Sequence, residues 1–104
     1  MVTPADTKTL ALSFEGTDEK PHFERVAFTV NKKIFATLSL KDKTLNVRFT
    51  PQVQFIFCPP NSDVIFPIDN AWGKQGWTTI DLNKASKKLV RNALQEAYTL
   101  RRAK

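Results

Sequence analysis

This chain has little of what most small-protein chemistry requires. Among its 104 residues there is one cysteine, one histidine and only three glycines. A lone cysteine, Cys58, excludes an internal disulfide and fits a reducing, cytoplasmic setting. With His22 as the single histidine, no His/Cys/carboxylate spacing resembles a zinc site. So few glycines leave no Gly-rich phosphate loop, and no nucleophile elbow is present. No apolar run approaches the ~20 residues of a membrane span. The opening residues, Met1-Val2-Thr3-Pro4-Ala5-Asp6, have neither a basic nor an apolar segment of the signal-peptide kind. No repeat, linker or low-complexity stretch divides the chain. The expectation is one domain over residues 1–104, without cofactor, metal site or membrane partner, and monomeric.

What is present suits a folded protein. The apolar fraction is 41% and the aromatic fraction 11%, enough for one modest core. Charge is unevenly placed. Residues 1–83 carry nine Lys/Arg and nine Asp/Glu, whereas residues 84–104 carry seven Lys/Arg and only Glu96. The formal charge of +6 therefore resides in the last fifth of the sequence. Such a basic element can attract nucleic acid or an acidic surface, and it can equally be a solvated helix face.

The order of elements reads as helix, three strands, short helix, two strands, helix. Thr3-Pro4-Ala5-Asp6 is a helix start: Thr3 caps, Pro4 suits the first helical position and Asp6 lies near the positive dipole end. Leu10 and Phe14 share a face and Gly16 ends the helix. Thr17 to Pro21 reads as a loop. Phe23 to Val30 is rich in strand formers and reaches the turn pair Asn31-Lys32. Lys33 to Leu40 alternates, with Ile34, Ala36 and Leu38 on one face and Phe35, Thr37 and Ser39 on the other. After the turn Lys41-Asp42-Lys43, Leu45, Val47 and Phe49 alternate with Asn46 and Arg48, the period of a half-buried strand. Thr50-Pro51 repeats the helix start signal, and Pro59-Pro60 forces that helix to be short. Val64 to Phe66 is a brief strand, Pro67 to Gln75 a loop, and Trp77 to Leu82 a strand. Ser86 caps a final helix whose Leu89, Val90, Ala93, Leu94, Ala97 and Leu100 form one arc. Lys87, Lys88, Arg91 and Arg102 form another. The prediction is an α+β domain: an antiparallel sheet of about five strands flanked by an N-terminal, a short middle and a long C-terminal helix.

Trp72-Gly73-Lys74-Gln75-Gly76-Trp77 stands out. Two indoles beside a bend that glycine permits make a rigid aromatic corner carrying one cation. It can be a binding platform, because indole offers a stacking face and an N–H donor. It can also be a core corner, with Trp77 mostly buried and Trp72 less so. Catalytic signals are sparse. His22 with Glu19 three residues upstream is the one acid–base candidate, and a histidine there also suits a structural hydrogen bond. Cys58 between Phe57 and Pro59 reads as a small buried filler, lacking the cationic neighbourhood of a reactive thiol.

Several of these segments together resemble the MmcQ/YjbR family. They are Glu19-Lys20-Pro21-His22-Phe23, Ala27-Phe28, Lys33-Ile34-Phe35-Ala36-Thr37-Leu38, the tryptophan–glycine segment, and Glu96-Ala97-Tyr98. Their order and spacing match from about Leu10 to Leu100. The resemblance implies a compact α+β domain related in shape to frataxin-like and secretion-chaperone-like folds, and DNA binding through a double-wing motif. Lys87-Lys88 departs from it, since similar proteins tend to be acidic there.

Three function classes follow. A sequence-tolerant DNA-binding module would use phosphate contacts from Lys32, Lys33, Lys41, Lys43, Lys74, Lys87, Lys88, Arg91 and Arg102. A small-molecule or peptide binder would use a cleft near Glu19, His22, Lys33, Trp72, Lys74 and Trp77. An enzyme lacks any convincing constellation, and no catalytic residue is expected.

Overall fold

The computed structural model describes residues 2–103. Helix α1, Pro4–Leu12, starts as its sequence dictates: Thr3 Oγ1 accepts from the Asp6 amide at 3.0 Å. The second Thr-Pro pair works likewise, with Thr50 Oγ1 accepting from the Val53 amide at the head of α2, Pro51–Phe57. Ser86 caps α4, Lys87–Arg102, through the Leu89 amide. Each cap fills one of the donors a helix start leaves unpaired.

Six strands form one antiparallel sheet: β1, Thr17–His22; β2, Arg25–Val30; β3, Lys33–Ser39; β4, Thr44–Arg48; β5, Ile65–Pro67; and β6, Trp77–Asp81. The spatial order is β1-β2-β3-β4-β6-β5. A fourth short helix, α3, Ala71–Lys74, precedes β6.

Three expectations need correction. The segment from Thr17 to Pro21 is not a loop but most of β1. It escapes notice because an edge strand tolerates charge and proline. Strand β2 begins at Arg25, so Phe23 and Glu24 form the β1–β2 turn instead of opening the strand. Within the expected loop from Pro67 to Gln75, Asn70 Oδ1 accepts from the Trp72 and Gly73 amides and starts α3.

A fourth correction concerns β3. The β2–β3 register shifts at Phe28/Thr29, where Phe28 pairs with Ala36 and Thr29 with Ile34. Phe35 is the extra residue of a bulge, which breaks strict alternation. Phe35 therefore joins the core, its ring 5.8 Å from Tyr98 of α4. Ile34 turns to the opposite face with Thr29.

One face of the sheet is the core. Phe28, Ala36 and Val47 form a row across it, and Leu38, Leu45, Ile80 and Ile65 form the next. Helix α4 covers these rows with Val90, Ala93, Leu94, Ala97 and Tyr98. The buried stripe is thus turned slightly from the expected one, leaving Leu89 and Leu100 at its margin. Tyr98 also donates to the Glu15 carbonyl at 2.6 Å and stacks on Phe14, tying α4 to the segment after α1. No helix among the described residues is long and apolar enough to cross a membrane.

Candidate functional site

The other face of the sheet carries the site. Lys20, Ala27, Thr37, Asn46 and Thr79 form a row across five strands there. The short side chains Ala27, Thr29 and Thr37 are buried at its centre. Longer side chains stand around them and enclose an open cleft of about 810 Å³. On the β1–β2 side are Lys20, His22 and Arg25; at the β2–β3 turn are Lys32, Lys33 and Ile34; toward α3 and β6 are Trp72 and Trp77. Arg48 on β4 and Arg101 from the last turn of α4 complete the wall.

Six Lys/Arg side chains line this cleft (Lys20, Arg25, Lys32, Lys33, Arg48 and Arg101), and among the described residues no carboxylate does. Among the described residues the ion pairs lie elsewhere: Lys8 with Glu19 at 3.5 Å, and Lys84 with Asp63 at 2.9 Å. Two cleft arginines are held by backbone and hydroxyl oxygens. Arg25 Nε donates to Thr37 Oγ1 at 2.9 Å and its Nη2 to the Thr37 carbonyl at 3.1 Å. Arg101 Nε donates to the Ile34 carbonyl at 3.0 Å. Burial pulls the Arg101 pKa below its ordinary value, and the positive charge of Arg48 adds to the shift. Burial also lowers that of Arg25, with Asp42 opposing. Both guanidiniums remain charged at neutral pH. Like charges crowd at the wall, where an anion would lower the energy.

The tryptophan segment positions both indoles by close backbone packing. A Cβ on Gly73 would lie 1.6 Å from the Ile68 carbonyl oxygen, and one on Gly76 would lie 1.9 Å from that of Phe49. Gly76 also has φ of +115°, which side-chain-bearing residues rarely adopt. Gln54 of α2 fixes the corner from behind: its Nε2 lies 2.9 Å from the Gly73 carbonyl and 3.0 Å from that of Trp77. Trp77 is partly buried beside Arg48, its cross-strand partner, and Trp72 is 59% exposed. Trp77 is thus less buried than expected and stands outside the core cluster, and both indoles belong to the cleft wall.

The structure brings together His22, Lys32, Lys33, Trp72 and Trp77 of the residues expected from sequence. Glu19 is not with them. It pairs with Phe28 in register, so it faces the helix side, beside Lys8. Lys74 lines a separate shallow depression with Asp69 and Gln54. Lys87, Lys88 and Arg91 are exposed on the first half of α4. Helix α4 starts near the β3–β4 turn, where Leu82 donates to the Lys43 carbonyl, and ends near the β2–β3 turn at Ile34. These three cations, with Lys41 and Lys43, therefore lie at the end of the sheet away from Lys32 and Lys33. Arg102 is exposed with its guanidinium 5.8 Å from the Tyr98 ring centre.

Lys20, Arg25, Arg48 and Arg101 were not singled out from the sequence. The alternation of Arg48 with Leu45, Val47 and Phe49 places it opposite the core, which was the available signal. No cluster of three His, Cys, Asp or Glu suited to a metal occurs among the described residues. Burial pushes the Cys58 thiol up from its ordinary value, the opposite of activation.

Family comparison agrees with this architecture. The family model for YjbR matches residues 12–100. The chain belongs to the YjbR family. A solved structure of similar shape is the Deinococcus radiodurans protein DR2400, described with a DUF419 domain. It is 20% identical, with a TM-score of 0.81 over 96% of this chain and 78% of that one. At that identity the likeness concerns the fold. Among curated proteins none matches the chain.

Proposed function

We propose that this YjbR-family chain is a nucleic-acid-binding module, and that the cleft on the open face of the sheet is its binding surface. The observation that carries the reading is the wall itself: six Lys/Arg and two indoles around one concavity, without a carboxylate among the described residues. Cations supply phosphate contacts, and an exposed indole supplies a sequence-tolerant stacking surface. The expected basic face of α4 is a weaker candidate. Lys87, Lys88 and Arg91 project from a convex helix with no aromatic beside them in sequence. The two cationic hairpin tips, Lys32-Lys33 and Lys41 to Lys43, lie at opposite ends of β3. Only the first borders the cleft.

Binding rather than catalysis is the role proposed. His22 lines the cleft with cations, amides and indoles, and among the described residues no acidic partner stands there to orient it as a base. A second reading has support of its own: the juxtaposed Arg48 and Arg101 would also suit the carboxylate or phosphate of a small molecule. The cleft volume is of a suitable size.

A salt titration decides where the charge acts. Affinity for nucleic acid should fall linearly on a log–log plot of binding against salt. Arg48→Gln should flatten that slope by about 0.7–0.9, one phosphate contact. Changing Lys87, Lys88 and Arg91 together to Gln should leave it nearly unchanged. The reverse pattern in folded variants would move the surface to α4. A free nucleotide that saturates the protein while longer strands gain no affinity would favour the small-molecule reading.

A further inference from the structure

Phe23 has no structural reason to be where it is. It sits in the two-residue turn between β1 and β2, in a left-handed conformation with φ of 60°. That region favours Gly, Asn or Asp, and a bulky residue there carries strain. The side chain gains nothing in return from the core, because it is 95% exposed. Its one aromatic neighbour is His22, with ring centres 5.0 Å apart. His22 in turn lines the cationic cleft. A strained, solvent-exposed aromatic at the rim of a charged trough fits a surface that meets a flat ligand group.

Trp72 mirrors it on the far rim. It is exposed by 59%, and it is held by a helix start and by Gly73, which packs against Ile68. Between the two rings the sheet is five strands wide, from β1 to β6. At the usual strand spacing that is about 19 Å sideways, and the two rings also stand at opposite ends of the strands, at the β1–β2 turn and before the start of β6. The cations lie between the rings.

We infer that the occupant of the cleft is a single strand of nucleic acid, with Phe23 and Trp72 as stacking posts at its two rims. This rests on the cleft being the nucleic-acid surface. A duplex presents phosphates but hides the faces of its bases inside the stack. A single strand offers both, and only it can use the two exposed rings. Two of the cleft amides are engaged within the protein. Asn46 Oδ1 already accepts from Thr79 at 2.7 Å, and Asn70 Oδ1 is committed to the start of α3.

The test measures fluorescence anisotropy of a labelled oligothymidylate of about 12 nucleotides and of the same strand in duplex, at matched salt. The single strand should bind at least about tenfold more tightly. Phe23→Ala and Trp72→Ala should each weaken single-strand binding by about tenfold and leave the salt slope unchanged, since neither removes a phosphate contact. Trp72→Phe should restore most of the loss, which a merely structural role would not require. Equal binding of both forms, with no effect of either aromatic change while Arg48→Gln still flattens the slope, would overturn the single-strand inference and leave the cleft reading standing. Absence of binding to either form at low salt would overturn both.

Discussion

Gly76 and Gly73 are fixed by space. Each lets one stretch of backbone approach another more closely than a methyl group allows. Gly76→Ala should destabilise the protein by about 3 kcal/mol or more, because it adds a backbone clash to a strained φ. Urea unfolding checks this, and a loss below about 1 kcal/mol would show that the corner is softer than the contacts imply. The two indoles should separate in the same experiment. Trp77→Ala removes a partly buried ring outside the core cluster. It should cost more than about 1 kcal/mol but less than the figure of about 3 kcal/mol for a core aromatic. Trp72→Ala should change stability by less than about 0.5 kcal/mol, as exposed side chains usually do. Two tryptophans five positions apart thus take different roles, Trp77 half-buried on β6 and Trp72 exposed on α3, though both line the cleft. Spacing could not assign those roles, since it gives both rings the same glycine neighbours. The pairing of Trp77 with Arg48 supplies the difference.

Among the elements, those with strong local signals were legible. The Thr-Pro starts, the Ser86 cap and the apolar stripe of α4 follow from side chains within one or two turns. Ser86→Ala should accordingly cost about 1 kcal/mol in thermal or urea unfolding, and no measurable loss would mean that packing alone sets the start of α4. Tyr98→Phe should cost about as much, through the lost bond to the Glu15 carbonyl. Strand β1 was not legible. Its Thr-Asp-Glu-Lys-Pro-His sequence has no apolar alternation, and it exists as a strand because β2 lends it partners along its whole length. The bulge in β3 was hidden for the same reason: it is a property of the register between two strands, not of either one. Both omissions mattered for the site. With β1 read as a loop, Lys20 and His22 had no assigned face. With β3 alternating strictly, Ile34 shares a face with Ala36 and Leu38, whereas the bulge sends it to the other.

At the scale of the whole molecule, the sequence suggested that charge concentrates at the C-terminal end. In three dimensions the more distinctive feature is where the neutral first part of the chain sends its cations. Lys20, Arg25, Lys32, Lys33 and Arg48 come from β1 to β4 and meet Arg101 of α4 on one side of the sheet. Of the two acidic residues on these strands, Glu19 faces the helix side near Lys8, whereas Asp18 shares the open face with Lys20 but lies outside the cleft lining. Linear charge counting cannot see this, because alternate residues of a strand go to opposite faces. The family match gives the fold, and the cleft gives the chemical expectation. A field of this kind makes binding sensitive to salt and association fast.

The most direct test is to locate the bound strand. In a titration of ¹⁵N-labelled protein with a short oligothymidylate, the indole Nε1 signal of Trp72 and the backbone amides of Lys33, Ile34 and Asn46 should move first and furthest. The amides of Lys88 to Asn92 should stay in place. Shifts gathered on that first half of α4, with the Trp72 indole unmoved, would contradict the account and place the nucleic-acid surface on the opposite side of the molecule.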